Sequence, residues 1–149
     1  MEVLVDTGIL LRAFDRAYSE QKTILRAFRK LWTNNHQLHT TSQNIAEFWN
    51  VCTRPVSARG GYGISVSVTE ARVQVIEQLG TILPFTSQAY LAWRSLLVAH
   101  QILGVSVHDA RIVAVMQSTG IQHLLTLNGA DFQRYTNIKV LTPNDVLTL

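Results

Sequence analysis

Four acidic residues occur where predicted strands and helices meet loops: Asp6, Glu47, Asp109 and Asp131. The 149-residue chain contains only 10 aspartates and glutamates, so the positions of these four are informative. Carboxylate oxygens are the ligands that hard divalent ions such as Mg²⁺ and Mn²⁺ bind in proteins. If four separate elements bring these carboxylates together, the site is suited to a divalent ion and to cleavage of phosphodiester bonds.

Two of these acids have simpler structural explanations. Asp6 can be the N-cap of the first helix, where its side chain would accept a backbone N–H bond. Asp109 fits a capping box with Ser106, because Ser-Val-His-Asp has the required spacing. Taken singly, either explanation is sufficient without any catalytic role.

The other two acids also have ordinary interpretations. Glu47 shares a predicted helix face with Gln43 and Asn50, and a polar face usually meets solvent. Asp131 lies in the segment Asn128-Gly129-Ala130-Asp131, whose composition is typical of a turn. Only convergence of the four carboxylates would distinguish a site from four local features.

The helix that follows Asp109 favours the functional interpretation. Residues 110–116 read Ala-Arg-Ile-Val-Ala-Val-Met, which is apolar on nearly all sides and predicts a buried helix. An ionised carboxylate at the start of a buried helix needs a partner, and a group of carboxylates needs a cation.

Strands and helices alternate along the whole chain. Apolar runs predict strands at 3–5, 38–40, 82–85, 123–127 and 138–141, and helical periodicity predicts helices at 9–14, 20–34, 42–52, 67–79, 87–100 and 106–118. A loop is predicted at 54–63. This order indicates a single α/β domain over residues 1–149 with a mainly parallel sheet of four to five strands and helices on both faces. In such sheets the ligand site lies at the carboxyl ends of the strands, where all four acids are expected.

Composition and charge restrict the class of protein. Hydrophobic residues make up 47% of the chain and charged residues 15%, which is typical of a globular protein. The single cysteine, Cys52, leaves no internal disulfide, and the sequence has neither a leader segment nor an apolar run of about 18 residues. We therefore expect a soluble cytoplasmic protein with no membrane association.

The net charge of +3 is compatible with a polyanionic partner. A basic helix face can contact either solvent or RNA; its residues are Lys22, Arg26, Arg29 and Lys30.

Four ordered segments carry a family resemblance. They are Val5-Asp6-Thr7-Gly8-Ile9-Leu10, Asn44-Ile45-Ala46-Glu47-Phe48, His108-Asp109-Ala110-Arg111-Ile112, and Leu125-Thr126-Leu127-Asn128-Gly129-Ala130-Asp131-Phe132. In order and spacing the chain resembles PIN-domain proteins, and among them the VapC-type toxin ribonucleases of bacterial toxin–antitoxin pairs. The resemblance spans almost the full chain.

The resemblance implies a PIN-like three-layer α/β/α sandwich and a metal-dependent endoribonuclease that cleaves RNA phosphodiester bonds. It implies that Asp6, Glu47 and Asp109 bind Mg²⁺ or Mn²⁺, with Thr7 orienting Asp6. Family members differ in the position of the last acid, so Asp131 is the preferred fourth residue and Asn128 a polar neighbour.

The resemblance also implies partners. They are an RNA substrate, a cognate antitoxin protein that covers the acidic rim, and a second copy of the chain in a homodimer. Two sets of apolar helix residues offer dimer surfaces, although core burial explains them equally well: Ile24, Phe28, Trp32 and Leu91, Trp93, Leu97. The alternative function is a catalytically silent PIN-like module that binds RNA or protein without cutting it.

Overall fold

The computed structural model describes all 149 residues and contains five strands, seven α-helices and one short 3-10 helix. The strands are β1 (Glu2–Val5), β2 (Gln37–Thr41), β3 (Thr81–Leu83), β4 (His123–Leu125) and β5 (Lys139–Leu141). The helices are α1 (Thr7–Ala13), α2 (Gln21–Thr33), α3 (Ser42–Thr53), α4 (Val66–Leu79), α5 (Ser87–Ala99), α6 (Ser106–Thr119) and α7 (Pro143–Thr148), and the 3-10 helix covers Gly129–Phe132. No helix has both the length and the apolar character that crossing a lipid bilayer requires.

Local sequence signals explain where the central helices begin and end. Thr41 caps α3 in a reciprocal capping box with Asn44, in which each side chain bonds the backbone N–H of the other residue. The helix ends at Arg54, directly before Pro55. Gly120 ends α6 in the left-handed conformation, with φ 79°, as the sequence predicted.

All five strands are parallel, in the order β3-β2-β1-β4-β5. Strand β1 is central: Val3 pairs with Leu38 of β2 on one side and with His123 of β4 on the other. The direction in which strands are added therefore reverses between β1 and β4. In open α/β sheets, ligands bind beside the carboxyl ends of the strands at this switch point.

The alternation of side chains along β1 divides the core between the two faces of the sheet. Val3 and Val5 face a cluster built with residues of α1, α2, α3, α4 and α7, whereas Leu4 faces a cluster built with α5 and α6. The predicted three-layer α/β/α fold with a parallel sheet is confirmed.

Several predicted boundaries are wrong for identifiable reasons. Strand β3 ends at Leu83 rather than residue 85, because Pro84 has no N–H to donate to a sheet. Strand β4 ends at Leu125 rather than residue 127, since the Thr126 hydroxyl accepts a bond from the backbone N–H of Asn128 as the chain turns. Helix α7 and the 3-10 helix were not predicted.

Candidate functional site

Asp6 lies at the carboxyl end of the central strand and is buried. Its backbone N–H pairs with Leu125 in the neighbouring strand β4, and its Oδ1 accepts the backbone N–H of Thr7, which caps α1. Its Oδ2 accepts a hydrogen bond from the Thr126 hydroxyl at 2.7 Å. Asp6 is therefore both the predicted helix cap and a carboxylate fixed between β1 and β4.

A buried amide connects Asp6 to Glu47. Asn44 is fully buried, and its Nδ2 donates to Asp6 Oδ1 at 3.3 Å and to the Thr7 hydroxyl at 2.9 Å. The Thr7 hydroxyl in turn donates to Glu47 Oε2 at 2.7 Å. Thr7, which was expected to orient Asp6, bonds Asp6 through its backbone N–H and holds Glu47 through its hydroxyl. Its role in the site stays a prediction.

The second oxygen of Glu47 is held from the other side by Gln43. Gln43 Nε2 donates to Glu47 Oε1 and to the carbonyl oxygen of His108, both at 3.0 Å. Gln43 Oε1 accepts a bond from Arg111 Nε, also at 3.0 Å. The predicted polar face of α3 is thus directed against the start of α6 and does not simply face solvent.

Asp109 lies in the first turn of α6 and is half-buried. The capping box predicted for Ser106 and Asp109 is wrong, because Val105 is the N-cap and no side chain caps the N-terminal end of this helix. Ser106 is already helical, so its hydroxyl is not in the position that capping requires. Capping therefore does not explain why an acid occupies position 109.

Asp131 lies in the 3-10 helix after β4 and is exposed. Asn128, its polar neighbour, is also exposed, and its backbone N–H bonds the Thr126 hydroxyl. Asn128 is neutral, whereas the charge of Asp131 raises the pKa of both Asp6 and Asp109.

The electrostatics of the site connect all four predicted acids. Burial is the largest cause that raises the pKa of Asp109 to about 6; the charges of Asp131, Asp6 and Glu47 contribute to the same rise, and the charge of His108 opposes it. Burial likewise raises the pKa of Asp6, against the hydrogen bonds from Thr126 and Thr7, while Glu47 and Asp131 add to the increase. The charges of the neighbouring acids therefore disfavour the ionised forms of Asp6 and Asp109.

No lysine or arginine forms an ion pair with this group, although the charge of His108 lowers the pKa of Asp109. The ion pairs of the chain join Arg12 to Asp15 and His39 to Glu2, and neither pair includes one of the four acids. No three aspartate, glutamate, histidine or cysteine side chains are grouped so that all three could bind one metal ion directly. The donors still fit Mg²⁺ or Mn²⁺, because all are oxygens and Mg²⁺ commonly uses one or two carboxylates and retains several waters. Their assignment as metal ligands stays a prediction.

Sequence reasoning missed the residues that hold the acids in place. Asn44, Thr126 and Gln43 each bond an acid or connect two acids across the fold. Asn44 and Thr126 stand inside the segments that carry the family resemblance, but their roles depend on contacts between residues distant in sequence. Arg12 donates hydrogen bonds to the Asp15 carboxylate and to the Tyr62 hydroxyl.

Comparison with known proteins gives one family and a consistent fold. Residues 3–138 match the family model described as the PIN domain. No curated protein sequence matches the chain.

Three solved structures illustrate the structural similarity. VapBC2 from Rickettsia felis, bound to a DNA fragment of its promoter, aligns with a TM-score of 0.70 and 16% identity, covering 95% of this chain and 98% of that one. VapC20 from Mycobacterium tuberculosis, described as a toxin that cleaves the sarcin-ricin loop, aligns with a TM-score of 0.64 and 19% identity, covering 89% of this chain and 95% of that one. A toxin–antitoxin complex from Klebsiella pneumoniae aligns with a TM-score of 0.63 and 21% identity, covering 95% of this chain and 97% of that one. At these identities the similarity shows a shared fold.

Proposed function

Because this chain belongs to the PIN domain family, we propose that it is a divalent-metal-dependent endoribonuclease. The observation that carries the proposal is the group of four carboxylates, Asp6, Glu47, Asp109 and Asp131, beside the switch point of the sheet. Neighbouring acids disfavour the ionised forms of Asp6 and Asp109, and no lysine or arginine forms an ion pair with any of the four. Such a group favours binding of a small, highly charged cation.

Asp6, Glu47 and Asp109 would hold the ion, and Asp131 would complete the site. A bound divalent ion supplies positive charge opposite the charge that develops on a phosphate during hydrolysis, and it lowers the pKa of water. The residues of the chain supply the positioning. Thr126 and Thr7 fix the carboxylates of Asp6 and Glu47, so neither has to reorganise during the reaction.

The half-buried setting of Asp109 suits it to a metal-dependent switch in protonation. A pKa of about 6 means that a small fraction of this carboxyl is protonated at neutral pH in the metal-free protein. A nearby cation favours the ionised form, so ion binding would release a fraction of a proton from Asp109.

The biological setting is a proposal drawn from the structural neighbours. One neighbour is described as a toxin–antitoxin complex, another as a member of the VapBC family of toxin–antitoxin systems, and a third as a toxin that cleaves the sarcin-ricin loop. We therefore propose that the chain is the toxin of such a pair, with RNA as substrate and an antitoxin protein as inhibitor. A homodimer is also proposed: Trp32 and Leu91, from the two predicted surfaces, are exposed, whereas Ile24 is buried in the core.

The test is RNA cleavage by the purified chain with Mg²⁺ or Mn²⁺ and then with EDTA. We expect cleavage only with the ion, and loss of at least about a hundredfold in rate for Asp6→Asn and Asp109→Asn, because charge stabilisation is a major part of such catalysis. Asp145→Asn, an exposed variant with the same chemical change, should cleave at the original rate and so controls for the substitution and the preparation. Cleavage that persists in EDTA or in both site variants would show that the metal mechanism is wrong.

One observation favours the alternative, a silent PIN-like module that binds RNA or protein. The four acids do not form a ready direct-contact metal cluster. The alternative predicts that Mg²⁺ and Mn²⁺ neither bind the chain measurably in calorimetry nor permit any RNA to be cut. Metal binding that disappears in Asp6→Asn would contradict it.

A further inference from the structure

Arg111 is held in one orientation by side chains from three parts of the fold. Its guanidinium carbon lies 3.8 Å from the ring centroid of Phe85, which follows β3, and 5.5 Å from that of Trp93 in α5. Its Nε donates to Gln43 Oε1, at the start of α3. Stacking and a hydrogen bond on one edge fix the plane of the guanidinium.

The other edge of the guanidinium is free. The two terminal nitrogens of Arg111 make no hydrogen bond or ion pair within the chain, and they are not among the buried unpartnered atoms. They therefore reach solvent. Arg12 differs, because Asp15 and Tyr62 already occupy its terminal nitrogen. Arg111 combines a fixed position with unused donors.

The free edge belongs to a residue that adjoins the acidic group. Gln43 is bonded to Arg111 on its oxygen and to Glu47 on its nitrogen, so one amide separates the guanidinium from a carboxylate of the site. An acidic pocket repels the backbone of a nucleic acid, and a fixed positive charge at its border reduces that repulsion. The planar pair of terminal nitrogens matches the geometry of a phosphate.

We propose that Arg111 binds a backbone phosphate of the RNA, adjacent to the phosphate at which the acids act. This inference rests on the proposed nuclease function for its substrate class. Because Phe85, Trp93 and Gln43 hold the side chain before RNA arrives, little rotamer freedom is lost when the phosphate binds. Lysine lacks the flat fork and the stacking, so it replaces arginine only in part.

The experiment compares the full chain with Arg111→Gln, Arg111→Lys and Lys139→Gln. Lys139 is exposed at the start of β5, on the edge of the sheet opposite the carboxyl ends of the strands, and its variant removes the same charge. Fluorescence anisotropy with a labelled single-stranded RNA in EDTA gives the Kd over a range of salt concentrations, and cleavage with Mg²⁺ gives kcat and KM. We expect Arg111→Gln to weaken binding roughly tenfold and to reduce the slope of log K against log salt by about 0.7.

The variants separate binding from structural support. Arg111→Lys should restore part of the affinity and most of the salt slope, and Lys139→Gln should leave the affinity within about twofold. A lower kcat in Arg111→Gln with unchanged Kd, KM and salt slope would overturn the proposal, because Arg111 would then act only through Gln43 on Glu47. If the chain binds RNA through Arg111 but cuts none under any metal condition, the nuclease proposal fails and the phosphate site stands.

Discussion

Replacing Asp109 by asparagine should stabilise the metal-free protein at neutral pH. Burial and three neighbouring acids make the ionised carboxylate of Asp109 unfavourable in the folded state, and no hydrogen bond compensates it. Asparagine has nearly the same shape without the charge. The variant therefore removes a cost that the folded protein pays whenever the site contains no cation.

The size and pH dependence of the effect follow from the pKa. A rise from 3.8 to about 6 corresponds to roughly 3 kcal/mol at about 1.4 kcal/mol for each pH unit. Asp109 is partly exposed, so solvent screening reduces this to about 1–2 kcal/mol. Because the pKa is higher in the folded state, the favourable contribution of Asp109 is fully present below pH 3.8 and is lost as the pH rises through about 6.

Urea unfolding in EDTA at several pH values between 4 and 7.5 measures this difference. The free energy of unfolding of Asp109→Asn should exceed that of the original chain by little near pH 4 and by about 1–2 kcal/mol above pH 6. Asp145→Asn is the control of opposite sign, since hydrogen bonds from Thr142 lower the pKa of Asp145. A difference for Asp109→Asn that is constant across the range would refute the reasoning.

Three further predictions concern the metal, the site scaffold and the loop after α3. Millimolar Mg²⁺ or Mn²⁺ should raise the Tm of the original chain in calorimetry, and Asp109→Asn should lose most of that rise, because an ion that binds only the folded state stabilises it. Asn44→Ala should lower the free energy of unfolding by about 3 kcal/mol in urea, since it leaves buried polar groups unpaired. Asn44→Asp keeps the acceptor for Thr41, so it should lower stability mainly through its charge beside the site. Equal losses of stability in the two variants would contradict these separate causes. Gly61→Ala should lower the Tm, because its Cβ would lie 2.3 Å from the carbonyl oxygen of Arg54, an overpacking cost of about 1–3 kcal/mol; an unchanged Tm would show that the loop relaxes freely.

The sequence predicted the fold well because its signals are local. Apolar runs separated by helical periodicity identified all five strands and six of the seven α-helices. Helix α7 was missed although its signals are present: Thr142 and Asp145 form a capping box, and Pro143 is the first helical residue. Its six residues are too few to show a helical period, so only the caps could have indicated it.

The candidate site was predictable as a set of acids and not as a structure. Asp6 directly follows β1 and Glu47 lies in the helix after β2, so both were expected near the edge where parallel strands bring their carboxyl ends together. The bonds that orient them come from Asn44 and Thr126, which lie 38 and 120 residues from Asp6. No periodicity or spacing in a single sequence encodes such pairings.

The central position of β1 has a consequence for protein synthesis. Strand β1 needs β4 as its second neighbour, and Asp6 needs the hydroxyl of Thr126, which lies 120 residues later in the chain. Domains generally fold as units once the required segments have emerged. A nascent chain therefore contains Asp6 long before it can assemble the site, because β4 and Thr126 are synthesised later. For the proposed nuclease, the site stays unassembled on the ribosome until these residues have been made.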